Sequence, residues 1–157
     1  MCGGREITEP TLFTIGHGTL DFDEFLRIVA SHSIRTVIDV RSKPYSSRVP
    51  EYSRQTLAEE LATAGISYRW LGDHLGGLPV REGEEAPISS PELLEAGVTE
   101  ASALAQGATT VLLCSEAEPT RCHRLSVLAP RFEAAGFAVT HIRADGSLLP
   151  HQPSLDL

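Results

Sequence analysis

The sequence predicts an α/β fold, a mostly parallel five-stranded sheet with helices on both faces, with an incomplete α/β barrel as the second choice. Two observations carry this. Short β-branched, apolar runs alternate along the chain with segments of helical period, which is the pattern of strand–helix–strand crossovers. Strand and helix alternate, so the strands are expected to be mostly parallel with right-handed crossovers. A chain of 157 residues with 41% apolar and 22% charged side chains can build such a fold as one domain, because at this size folding hides about 70% of the unfolded surface.

The elements follow in order. Residues 1–10 read as a tail. Thr11 to Ile15 is the first strand, stopped by Gly16-His17-Gly18. Phe22, Phe25, Leu26 and Val29 then fall on one helical face, and Asp21 with Glu24 resembles a capping box. Thr36 to Val40 is the second strand. Pro44 and Pro50 keep the following loop irregular, and Leu57, Leu61 and Ala64 mark a helix closed by Gly65 at a C′ position. Ile66 to Trp70 is the third strand, and Leu71 to Gly77 reads as a loop. Residues 79–90, rich in Pro, Gly and Glu, are expected to form a mobile acidic loop. Ser90-Pro91-Glu92 is a strong helix start, with a cap, a proline at N1 and an acid in the first turn. That helix stops at Gly107. Thr109 to Cys114 is the clearest strand. The next helix carries Leu125, Leu128, Phe132 and Ala135 on one face, ends at Gly136, and should be kinked by Pro130. Phe137 to Ile142 is the last expected strand, and 144–157 reads as a tail.

Charge and cysteine usage narrow the function classes. Thirteen basic and twenty-one acidic residues give a net charge of −8, which opposes an unspecific grip on nucleic acid. The distribution is uneven: Arg35, Arg41, Lys43, Arg48 and Arg54 cluster around only Asp39 and Glu51, whereas six glutamates and no basic residue lie between Glu82 and Glu100. A local anion site is compatible with that pattern. No run reaches the ~18 apolar residues of a membrane span. The amino terminus lacks the features of a signal peptide or a myristoylation site. Three cysteines do not make a disulfide framework, so a reducing, cytoplasmic setting is expected.

In α/β sheets ligands bind at the carboxyl ends of the strands. That edge collects Gly16-His17-Gly18-Thr19, Asp39 to Arg48, Gly72-Asp73-His74, Cys114-Ser115-Glu116, and His141 with Arg143. The Gly-His-Gly-Thr turn could offer backbone amides to an anion, or be a tight turn with a satisfied histidine. Asp39 and Arg41, two apart in a strand, share a side. They either orient each other or present Arg41 as an anion clamp. The loop Arg41-Ser42-Lys43-Pro44-Tyr45-Ser46-Ser47-Arg48 supplies cations and hydroxyls suited to phosphate, and a tyrosine able to stack on a base; a solvated basic loop is the plainer alternative. Tyr68 and Trp70 are better explained by core packing than by base stacking, and His141 by packing with a hydrogen-bonded neighbour.

Glu116 follows its strand where a general base or a structural cap could sit. If Thr120 caps the following helix, Cys122 and His123 occupy its first turn, where amide hydrogen bonds, the helix end, Arg121 and Arg124 favour a thiolate. Cys122 then acts as nucleophile, as an anion-positioning or structural group, or with Cys114 and His123 as part of a metal site whose spacing matches no common zinc pattern. No metal is assigned, and no cofactor follows from the sequence.

The segments TIGHGT, DVRSKPYSSRVPEY, ISYRWLGDHLGG and LLCSEAEPTRCHR, followed by HI, resemble the family catalogued as Domain of Unknown Function 488, from about Phe13 to Ile142. One departure is Gly18-Thr19, where many members carry Ser-Asn. The resemblance implies a compact α/β domain with signature residues His17, Asp39, Arg41, Pro44, Ser47, Gly76, Gly77, Glu116, Cys122, His123 and Arg124, and it implies no reaction. The leading expectation is a hydrolase- or transferase-like enzyme acting on a phosphate-bearing substrate, a nucleotide or nucleic-acid end. Glu116 and Cys122 would be catalytic, with His17, Asp39, Arg41, Ser47, Arg48, His123 and Arg124 around the substrate. A non-catalytic nucleotide or nucleic-acid binding module is the alternative, and a thiol or metal sensor a further one. The sequence does not specify an oligomeric state.

Overall fold

The computed structural model describes residues 9–45, 49–76, 90–118 and 124–151, with the backbone only at 124 and 125. The elements are β1 (Thr11–Gly16), α1 (Phe22–Ser31), β2 (Thr36–Asp39), α2 (Arg54–Thr63), β3 (Ser67–Trp70), α3 (Gly72–Leu75), α4 (Pro91–Gly107), β4 (Thr110–Cys114), α5 (Ala129–Ala134), β5 (Ala138–Ile142) and β6 (Leu148–Pro150). A 3₁₀ turn at Pro50–Tyr52 leads into α2, and a π-helical turn at Arg124–Leu128 leads into α5.

The strands form one open sheet in the order β3-β2-β4-β1-β5-β6, parallel except for β6. The α/β reading therefore holds, and the sheet does not close into a barrel. The crossovers β1 to β2 and β2 to β3 move toward one edge; β3 to β4 and β4 to β5 move toward the other. A constant crossover hand then requires the helices to lie on opposite faces, as they do. Ile15, Val37, Val111, Leu113 and Ile142 pack with Phe25, Val29, Leu57 and Leu61 of α1 and α2. Leu12, Ile38, Leu112 and Val139 pack on the other face with Leu94, Val98, Ala101 and Phe132 of α4 and α5. Period-2 alternation along each buried strand feeds two separate cores.

Several elements differ from expectation. The segment read as a carboxyl-terminal tail contributes a sixth strand, so the sheet has six strands rather than five. β6 pairs antiparallel with β5 through a turn in which Gly146 takes φ +85° and the Asp145 carboxylate accepts from the Ser147 amide and hydroxyl. Residues 72–75, read as loop, form a single helical turn. Asp21 occupies the N-cap of α1, but its side chain makes no capping bond. Glu24 instead accepts from Arg27 on the exposed helix face, so the capping box does not form. The Ser90 cap does form, its hydroxyl accepting from the Leu93 amide. Gly65 and Gly136 end their helices with φ of +78° and +103°, which a side chain would oppose. Pro130 lies just where the π-helical turn passes into α5, so the irregularity expected at the proline appears as that π turn. Most of the proposed mobile loop at 79–90 lies outside the described residues. Among the described residues no helix is long and apolar enough to cross a membrane.

Candidate functional site

β2 delivers Asp39 and Arg41 to the carboxyl edge on the same side of an extended chain. Asp39 is 0% and Arg41 6% exposed. The guanidinium grips the carboxylate as a fork, Nε donating to Oδ1 at 2.8 Å and Nη2 to Oδ2 at 2.7 Å. The Arg41 amide donates to the same Oδ1 at 3.0 Å, and the Tyr68 hydroxyl, from the neighbouring strand, to Oδ2 at 2.5 Å. Two opposite charges are tolerable at this depth only because every lone-pair direction of the carboxylate is occupied. Burial disfavours the Arg41 cation, but the Asp39 hydrogen bonds and charge outweigh it and push its pKa up. Burial, reinforced by Asp39, pushes the Tyr68 phenol well above its usual range and keeps it a donor.

The third guanidinium nitrogen, Nη1, lies 3.3 Å from Nε2 of His17 at the end of β1. The His17 Nδ1 donates to the Gly18 carbonyl at 2.9 Å, so Nε2 carries the lone pair that accepts from Arg41. Burial is the main cause lowering the His17 pKa, and the Arg41 charge adds to it; the imidazole is neutral. Its ring stacks on Tyr52, with centroids 4.4 Å apart and planes 10° from parallel. Tyr52, at the end of the 3₁₀ turn, is fully buried against Phe22 and Phe25, and its hydroxyl donates to the Leu20 carbonyl at 2.8 Å. Trp70 closes the group by donating from Nε1 to the Arg41 carbonyl at 2.8 Å. The loops after β1 and β2 are thereby fixed to each other and to β3.

β4, next to β1, ends in Cys114, which is buried and whose thiol donates to the Glu116 carbonyl at 3.5 Å. The amides of His17 and Gly18 donate to the carbonyls of Cys114 and Ser115, both at 2.9 Å. These two amides of the Gly-His-Gly-Thr turn join the loop after β1 to that after β4 and do not cradle an anion. A Cβ on Gly16 would stand 1.7 Å from the Glu116 carbonyl oxygen, so this approach requires glycine. The Glu116 side chain is exposed, and its Oε1 accepts from the Glu118 amide at 3.1 Å. It opens onto a cleft of about 400 Å³ lined also by Glu118, Arg143 and Asp145. This described part of the edge is acidic.

The fold thus brings His17 and Asp39 each into contact with Arg41, and the backbone of Glu116 against the first turn. All three nitrogens of Arg41 face internal partners, which matches the mutual-orientation alternative. Ser47, Arg48, Cys122, His123 and the Arg124 side chain lie outside the described residues. Among the described residues no cluster of three or more His, Cys, Asp or Glu side chains is arranged to hold a metal ion. His141 is buried, with Thr14 Oγ1 at 2.6 Å and His151 Nδ1 at 3.2 Å from its two nitrogens, as expected of a packed strand histidine. Sequence reasoning missed Tyr52 as the platform for His17 and Tyr68 as a partner of Asp39. For Tyr68 the signal was partial: alternation puts it on one side of β3 with Trp70, and the register Val37↔Tyr68, Asp39↔Trp70 makes that the side of Asp39.

No curated protein and no solved structure matches the chain. A family model described as a domain of unknown function, DUF488, matches residues 21–130. The matched stretch holds Asp39, Arg41, Tyr52, Tyr68, Trp70 and Glu116, and leaves out His17 and the TIGHGT turn. A match over that much of the 157 residues shows that the chain belongs to the DUF488 family.

Proposed function

We propose that the protein is an enzyme of hydrolase or transferase type acting on a phosphate-bearing substrate, a nucleotide or nucleic-acid end, at the carboxyl edge of the sheet. The observation that carries this reading is the buried Asp39–Arg41–His17 cluster. Removing an ion pair and a neutral imidazole from water at a strand exit is costly, and clusters of perturbed ionisable groups gather where ligands are handled. In this reading Arg41 and Asp39 are positioning residues that hold His17 with its Nδ1 protonated. Glu116, solvated at the exit of the adjacent strand, takes the proton of the attacking water or acceptor hydroxyl. Arg48 and Arg124 hold the phosphate, Ser47 and His123 complete its surroundings, and Cys122 is the nucleophile or orients the substrate. A reducing, cytoplasmic setting belongs to the same reading, supported by the odd cysteine count.

The test is turnover on a panel of nucleotides and 5′- and 3′-phosphorylated oligonucleotides. Glu116→Gln should abolish product formation, by a factor of about 10²–10⁴, while leaving the unfolding transition in place, because the carboxylate is exposed. Undiminished turnover in that variant removes the assigned role. A second reading, a non-catalytic module binding the same ligands, is favoured by the internal engagement of Arg41. It predicts saturable, salt-sensitive binding and no product from any member of the panel.

A further inference from the structure

Beside this edge, on the sheet face that carries α1 and α2, the outer strand β3 leaves an open cleft of about 570 Å³. Tyr45, Arg54, Gln55, Tyr68, Arg69 and Trp70 line it. We propose that this cleft receives one nucleotide unit, its base stacked on the aromatic side chains and its phosphate held by Arg54. The inference rests on the phosphate-substrate reading above and assigns the part of the molecule that recognises the substrate's base.

Four observations support it. The volume falls within the range of small-ligand clefts. Tyr45 is 72% exposed, an uncommon cost in solvated aromatic surface, and it stands over the same cleft as the half-buried Tyr68 and Trp70. The Arg54 guanidinium lies 4.5 Å from the centroid of the Trp70 ring. A stacked guanidinium keeps its in-plane N–H groups available for phosphate, and among the described residues no carboxylate pairs with Arg54. Arg69, between the two rings in β3, turns to the other sheet face and pairs with Glu100 of α4 at 2.6 Å, which leaves Arg54 as the cation on the face of the rings. Aromatic faces combined with arginines are how proteins hold single nucleotide units without reading sequence. An acidic peptide would satisfy Arg54 and leave the three rings without a role. The cleft also adjoins the buried cluster, since Tyr68 donates to Asp39 and Trp70 to the Arg41 carbonyl.

Trp70 is the chain's single tryptophan, so its fluorescence reports directly on the cleft. The intact protein is titrated with AMP, with a short oligothymidylate and with ribose 5-phosphate, and affinities are checked by calorimetry. A saturable change in Trp70 emission is expected with AMP or the oligonucleotide. Tyr45→Ala and Arg54→Ala, both at exposed positions, should each weaken binding by about tenfold or more with unchanged circular dichroism. Binding by AMP identifies a free nucleotide as sufficient, and binding by the oligonucleotide alone identifies a strand. No saturable change with either probe overturns the proposal, as does equal affinity in both variants or equal binding of ribose 5-phosphate. Glu116→Gln should bind like the parent protein, so loss of the catalytic reading and loss of this one are distinguishable.

Discussion

Replacing Arg41 with Met leaves the Asp39 carboxylate fully buried with only the Tyr68 hydroxyl and the amide of residue 41 as donors. Both arms of the fork and the compensating charge disappear, and methionine fills much of the volume without supplying a donor. Breaking a buried pair in this way costs about 3–5 kcal/mol, a fall in Tm of roughly 10–15 °C for a chain of this length. The companion change, Asp39→Asn in the Arg41→Met background, removes the stranded charge and keeps a carbonyl acceptor for Tyr68. It should recover about 2 kcal/mol or more. Urea unfolding at pH 7, followed by circular dichroism so that changes around Trp70 do not distort the signal, gives the complete double-mutant cycle. A loss below about 1 kcal/mol in the single variant, or a double variant equal to the sum of the singles, would refute the claim that the pair is buried and mutually dependent.

His17 makes stability depend on pH. Its pKa in the folded chain lies below the ordinary 6.5, so about one unit or more above that value both states are neutral and the contribution is complete. As pH falls below that value the unfolded chain takes up a proton first, and stability drops until the folded pKa is passed, at no more than about 1.4 kcal/mol per pH unit. A His17→Gln variant should lose that component of the slope; parallel profiles for variant and parent would contradict the assignment. Gly16→Ala should cost more than about 3 kcal/mol, because the new methyl meets the Glu116 carbonyl, which is backbone and cannot rotate away. A normal Tm for that variant would mean that the loops after β1 and β4 are not in contact.

The sequence carried the fold wherever burial imposes a period. Val37, Ile38 and Val111 to Leu113 lie in strands covered on both faces, so unbroken β-branched and apolar runs were sufficient to place them. The Ser90-Pro91 start and the glycines at 65 and 136 were legible because their backbone chemistry is local. β6 was missed because a three-residue edge strand has no period, yet Asp145-Gly146 is a strong hairpin signal and was there to be read. At Asp21 the capping box does not form and Glu24 instead accepts from Arg27 three residues on, a choice between partners that spacing alone does not resolve. At the candidate site, the shared side of Asp39 and Arg41 followed from two-residue alternation. The direction of the Arg41 donors did not, since it depends on Tyr68 and His17 arriving from other strands. Tyr68 and Trp70 suggested core, but β3 lies at the sheet edge and leaves both rings half in solvent.

The central claim is that the substrate sits at the carboxyl edge of the sheet, and the most direct measurement is a crystal of the protein grown with a nucleoside monophosphate. Electron density for the base in the Tyr45–Trp70 cleft, with the phosphate at Arg54 where the loop after Asp39 enters α2, is the predicted result. Density confined to the opposite edge of the sheet, or to the outer surfaces of the helices, would contradict it.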